Sequence, residues 1–339
     1  MKLKTIISLG LWAGLCMGQS LQAQDLNIYS QREPFLIEPF LKAFTDRTGI
    51  KTKVLYSEKG LAQRLKSEGR NSPADVVLTV DIARLSVYDD MGLLSKTASA
   101  TLEKNIPAHL RSPENTWFAL SKRSRILATS KDRVGAAEIT RIEDLADPKW
   151  KGSICTRPGS HVYNRALMAS MIAHHGSEAA EEWAKGLVAN LARKPQGNDR
   201  AQVKAIYEGV CDVALINSYY YGNMKFSEDA EQRAWADAMN IVFPNQEEND
   251  RGAHINVSGG GVAIHSKNKE AAIKLLEFLS EATSQKLYGE VNYEYPVNPA
   301  VLVDGELASW GTFKEDQLPI QKIADLSREA QMMIDRVGW

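Results

Sequence analysis

Three consecutive phenols stand at Tyr219, Tyr220 and Tyr221, directly after the apolar run Val213–Ile216 and the polar pair Asn217 and Ser218. The run predicts a short buried strand, and Asn217 or Ser218 can cap a helix that opens on the tyrosines. Strand-to-helix corners at the carboxyl ends of α/β sheets are where such folds bind ligands. Three adjacent rings point in different directions, so they cannot all face the core. They serve either as aromatic packing with polar tips or as oxygen donors, and the acceptor that suits phenolate oxygen is a hard ion such as Fe3+.

Tyr163 occupies the same kind of corner. It follows the strand Ser153–Thr156 and the turn Arg157-Pro158-Gly159, in the first turn of a helix expected to be capped by Ser160 and stopped by Gly176. It is either core or a companion to Tyr219 and Tyr220 on one cleft edge, where helix N-termini favour negative charge. At the equivalent corner near the start of the chain stand Arg32 and Glu33. They form either a solvated pair or a site, with Arg32 offering a planar fork to a carboxylate, carbonate or phosphate and Glu33 a hard oxygen. Arg157 carries the same two readings. His174 and His175 point about 100° apart on a helix and do not chelate together, which leaves His161 and His254 as supporting groups. The chain contains no Gly-Lys-Ser/Thr phosphate loop, no Gly-x-Ser-x-Gly elbow and no Cys-x-x-Cys pattern.

The elements that position these residues alternate. Strand Leu26–Tyr29, a helix opened by Pro34 and ended by Gly49, strand Ile50–Tyr56, helix Leu61–Ser67, strand Ala74–Thr79 and a helix capped by Asp81 follow one another. This predicts an α/β fold with a mainly parallel sheet. Two extended runs, Trp117–Leu120 and Arg125–Thr129, joined by Lys122-Arg123-Ser124, read as a crossing between two lobes. The glycine-rich Val257–Ile264 reads as the return crossing, because glycine permits torsions and close approaches that other residues do not. Asn198-Asp199 caps a helix that feeds the strand Asp212–Ile216. Lys269–Glu281 and Leu318–Val337 have helical periodicity.

With 339 residues, 44% hydrophobic and 24% charged, the chain is long enough for two ordinary domains. Residues 1–23, with Lys2 and Lys4, an apolar run and the ending Leu21-Gln22-Ala23, read as a cleavable signal peptide. Its removal takes two of the 41 basic residues and none of the 42 acidic ones, leaving a slightly acidic chain with no attraction to nucleic acid or membrane. Of the 3 cysteines, Cys16 falls in the leader. Cys155 and Cys211, each before or at the start of a strand in one lobe, are placed either to form a disulfide in an oxidising compartment or to stay as buried thiols.

Asp144-Leu-Ala-Asp-Pro-Lys-Trp-Lys-Gly152 resembles the second-lobe entry of two-lobed periplasmic solute-binding proteins. Tyr29–Arg32, Asn71–Val80, His161–Asn164, Val213–Tyr220, Asn256–Gly259 and Asn292–Val297 resemble the ferric-iron-binding branch of that family. The resemblance covers nearly the whole mature chain, and it implies two lobes joined by hinge crossings. The first lobe is expected at residues 24–124 and 257–300, the second at 125–256 and 301–339. It also implies Fe3+ held by Tyr163, Tyr219 and Tyr220, with Tyr221 outside the set, and a periplasmic monomer that delivers the ion to an inner-membrane ABC permease. Relatives place a histidine, or His-Tyr, after the arginine, where this chain has Glu33 and Pro34. Glu33, a carbonate on Arg32, or water then completes the shell. Two rivals remain: an organic solute or oxyanion clamped by Arg32 and Arg157, and an enzyme using a tyrosine or Cys155, for which no base stands at a recognisable spacing.

Overall fold

The computed structural model describes residues 25–135 and 137–339, so the expected signal peptide lies outside them. The first lobe opens with β1 (Leu26–Ser30), α1 (Pro34–Thr48) and β2 (Thr52–Tyr56), and β1 pairs in parallel with β2. Pro34 enters α1 at its first turn, where the missing N–H costs nothing, and Gly49 closes it at φ 73°. The helix buries Ile37, Phe40, Leu41 and Phe44. Burying a phenylalanine contributes about 1.5–3 kcal/mol, so Phe40→Ala alone would cost about 3–5 kcal/mol. Next come α2 (Leu61–Glu68), β3 (Val76–Thr79), α3 (Ile82–Asp90) and α4 (Ala100–Asn105). Asp81 caps α3 by accepting from the Ala83 N–H at 2.9 Å.

The two extended runs expected around Lys122 are one strand, β4 (Phe118–Ser130), with an irregularity between Ala119 and Ser121. Lys122-Arg123-Ser124 does not interrupt it, because Arg123 and Ser124 are buried and bonded inside the protein. The second lobe continues with β5 (Ile154–Cys155), α5 (Val162–Ala189), α6 (Asp199–Tyr207), β6 (Val213–Asn217), α7 (Tyr219–Lys225), α8 (Ala230–Asp237) and β7 (Met239–Val242). His161, not Ser160, caps α5, its ring nitrogen accepting from the Tyr163 N–H at 3.3 Å. Gly176 ends the first helical stretch as expected, leaving helical torsions altogether (φ 77°, ψ 165°), and a second helical stretch follows across this kink to Ala189.

The return crossing is β8 (Ile255–Val262), followed by α9 (Lys269–Ser280), α10 (Ala282–Asn292), α11 (Gly305–Ser309), α12 (Ile320–Asp325) and α13 (Ser327–Val337). Strand order is β2-β1-β3-β8-β4-β6-β5, with β7 also on β4. The parallel pairs are β1 with β2, β1 with β3 and β5 with β6. Every pairing made by the crossings β4 and β8 is antiparallel, so the sheet expected to be mainly parallel is mixed. The glycines of β8 serve close approach: a Cβ at Gly260 would stand 2.5 Å from the Val77 carbonyl oxygen, and one at Gly261 2.5 Å from that of Thr116. The crossings thereby lie tight against both neighbours, with the cleft between the lobes opening above them.

Candidate functional site

The β6–α7 corner and the start of α5 bring Tyr163, Tyr219 and Tyr220 into one cleft of about 370 Å³. Tyr219 Oη donates to Tyr163 Oη at 3.1 Å, and the Tyr219 and Tyr220 rings lie 4.5 Å apart. Tyr221 turns away from the cleft and sets its ring against Trp310. Burial, and then the neighbouring phenols Tyr163 and Tyr220, push the Tyr219 hydroxyl well above the usual phenol pKa. Burial likewise raises Tyr220, so both are protonated at neutral pH. His161 lines the same cleft. Burial first and Arg157 second depress its imidazole to about 3, so it is neutral.

Under the phenols lies a buried polar hub centred on Asp199. Its carboxylate accepts from Arg125 Nη1 at 2.7 Å, Arg157 Nη1 at 3.1 Å and the Asn217 backbone N–H at 2.8 Å. Arg125 reaches on to Asn217 Oδ1 at 3.0 Å and Asn164 Oδ1 at 2.6 Å. One network thus fixes α6, the end of β6, the start of α5 and the crossing β4 in mutual register. The guanidinium groups of Arg157, Arg123 and Arg125 lie 5.0, 5.4 and 6.0 Å from the Tyr163 ring centroid, a strongly cationic setting for one phenol. Arg123 also pairs with buried Asp81 at 3.2 Å, tying the crossing to the first lobe.

The first-lobe residues sit differently from expectation. Arg32 lines the cleft, but it is buried and its fork is taken: Nη1 and Nη2 donate to Glu294 at 3.3 and 2.5 Å. Glu294 also accepts from Ser121 at 2.9 Å and Ser258 at 3.3 Å, one residue on each crossing. The carbonate fork read for Arg32 is thus filled by a carboxylate 262 positions away. Glu33 caps α1 without a side-chain bond and stands exposed at the cleft wall. Arg200, half-buried in the first turn of α6, lies 5.1 Å from the Tyr220 ring and has no ion pair among the described residues. Arg157, read as a second clamp, is engaged by Asp199.

Sequence reasoning missed Asp199, Arg125, Arg123, Glu294 and Arg200 as parts of the site. The signal present was a pair of arginines, Arg123 and Arg125, between the apolar runs Phe118–Leu120 and Ile126–Ala128, since charges buried there require partners. Cys155 and Cys211 are joined by a disulfide with their Cα atoms 5.9 Å apart. His254 is buried beside Arg123, Arg125 and Tyr163, while His174 pairs with Asp316 at 2.7 Å and His175 with Glu143 at 2.9 Å, away from the cleft.

A two-lobed α/β fold with a cleft over hinge strands defines a solute-binding protein. The chain belongs to the bacterial extracellular solute-binding protein family, whose description matches residues 71–314. It is 42% identical to iron uptake protein A1 of Synechocystis sp., over 94% of this chain and 88% of that protein. Among solved structures it is similar to ferric iron-binding protein A of Mannheimia haemolytica in an open conformation, with TM-score 0.88 and 47% identity over 93% of this chain and 99% of the other. A Trichodesmium protein in complex with iron and citrate gives TM-score 0.89 and 45% identity, over 93% of this chain and 100% of its own.

Proposed function

We propose that the protein captures Fe3+ in its interlobe cleft through Tyr163, Tyr219 and Tyr220 and delivers it to an inner-membrane ABC permease. The observation that carries this reading is the convergence of three phenols, from two helix starts, on one cleft edge. Three phenolates neutralise a trivalent ion and so offset its desolvation, whereas Fe2+ has less charge to stabilise them. Relatives named for iron uptake and ferric iron binding support the same cargo, and a relative named as a periplasmic protein supports export by residues 1–23. Carbonate or water, admitted by a cleft larger than the ion, completes the shell next to Arg200. Glu33 stays at the rim, and Arg32 is structural. The rival reading, an organic solute held by Arg32 and Arg157, loses its clamps to Glu294 and Asp199. The test is a titration of iron-free protein with ferric citrate: phenolate-to-iron charge transfer colours the complex in the visible, and a colourless protein ends the proposal.

A further inference from the structure

We propose that Tyr293, seated on Gly222, is a positioning residue that latches the tyrosine-bearing helix α7 to the first lobe and slows cargo release; the cargo part rests on the ferric reading above. Tyr293 ends α10, which packs on α1 and α9 in the first lobe. Its backbone is left-handed (φ 55°, ψ 35°), a conformation uncommon for a bulky residue and easier for Gly or Asn, so its ring has to provide the compensation. That ring lies on Gly222 of α7, where an added Cβ would stand 2.4 Å from its Cγ. Gly222 comes three residues after Tyr219 and two after Tyr220.

The contact is broad. Tyr293 stacks on Phe226 at 5.7 Å and 10°, and on Trp310 at 6.4 Å and 30°. Tyr221, the phenol outside the cleft, meets Trp310 edge-on at 5.5 Å. Lys225 at the end of α7 pairs with Glu306 of α11 at 2.7 Å, and Glu306 also accepts from Trp310 Nε1 at 2.7 Å. Helix α11 packs on α10 and so sits on the first-lobe side, rather than with the second lobe where residues 301–339 were expected. On the first-lobe side the latch cannot slide, because the next residue, Glu294, is held by Arg32, Ser121 and Ser258. None of these contacts involves cargo. The lobes are thus held together at this edge by the protein alone, and separating them requires unstacking Tyr293 from α7.

The experiment uses the exported chain with three substitutions. Tyr293→Asn keeps the left-handed backbone and removes the ring, Gly222→Ala drives a methyl into it, and Tyr293→Phe keeps it. X-ray scattering of unloaded protein and the rate of charge-transfer bleaching after excess EDTA are measured. Tyr293→Asn and Gly222→Ala should enlarge the unloaded protein and release iron roughly three- to tenfold faster, the scale expected when one aromatic stacking interaction no longer opposes opening. Tyr293→Phe should match the native protein. The band itself should not move, because its phenols remain. Native scattering and release in the first two variants would overturn the latch, even if both melt at lower temperature, and so would Tyr293→Phe behaving like Tyr293→Asn. A native protein without the band would refute the ferric reading instead, and scattering would still decide the latch.

Discussion

Tyr219 donates its phenolic hydrogen to the oxygen of Tyr163 at 3.1 Å, joining helix starts 56 residues apart. One phenol is donor and the other acceptor, so the two oxygens are already spaced for a common partner. A cation entering between them replaces a shared hydrogen with its own charge, and the hub beneath keeps the two helices from drifting as it does so.

Tyr163→Phe, Tyr219→Phe and Tyr220→Phe should each reduce ferric affinity by several orders of magnitude, because each removes an anionic oxygen and keeps the ring. Tyr221→Phe should change affinity little, since Tyr221 faces Trp310 and Lys225. Competition with a chelator of known ferric affinity measures all four, and Tyr221→Phe as the worst lesion would refute the assignment.

Arg32→Gln should act on stability rather than on an anion. It leaves Glu294 buried without its cation, a loss of about 3–5 kcal/mol for a broken buried pair, read as a lower midpoint in urea. Any bicarbonate dependence of ferric affinity should weaken in Arg200→Gln, whose guanidinium has no acidic partner among the described residues. If Arg32→Gln kept native stability and lost the bicarbonate effect, the carbonate would belong on Arg32 after all.

What was legible in the sequence was local chemistry. Asp81 and Asn198 as caps, Pro34 and Gly49 as helix ends and the phenols at two strand-to-helix corners each depend on residues a few positions away. The pairs Arg32–Glu294 and Arg125–Asp199 span 262 and 74 positions, and only the assembled fold brings them together. The same cause explains why one strand reads as two runs: Arg123 looks solvated until Asp81 is folded against it. His161 is hard to see as a cap because Ser160 beside it has the usual capping side chain.

The disulfide should matter to the second lobe. Cys155 ends β5 and Cys211 precedes β6, so the bond closes a loop with a sequence separation of 56. Reduction, or Cys155→Ser with Cys211→Ser, should lower stability by about 2–4 kcal/mol. Intact mass after alkylation without reductant should show no modified thiol at these positions, and two alkylated cysteines would exclude the bond.

Ferric binding should weaken as pH falls. Burial first, and then Tyr163 among the neighbouring groups, raises the Tyr219 and Tyr220 hydroxyls above a phenol's usual value of about 10 in the unloaded protein. Coordination requires phenolates, so each bound tyrosine must release its proton, and its pKa in the loaded protein falls below that in the unloaded one. The sign follows: affinity is gained above the loaded-state pKa, and as pH drops towards it protons displace the ion. His161 does not contribute across this range, because its imidazole is neutral down to about pH 3. Up to three protons should leave per ion bound, one from each phenol, a count accessible by calorimetry in buffers of different ionisation enthalpy. Fewer than two protons released between pH 6 and 8, after allowance for those taken up by the displaced chelator, would exclude ligation by three phenolates.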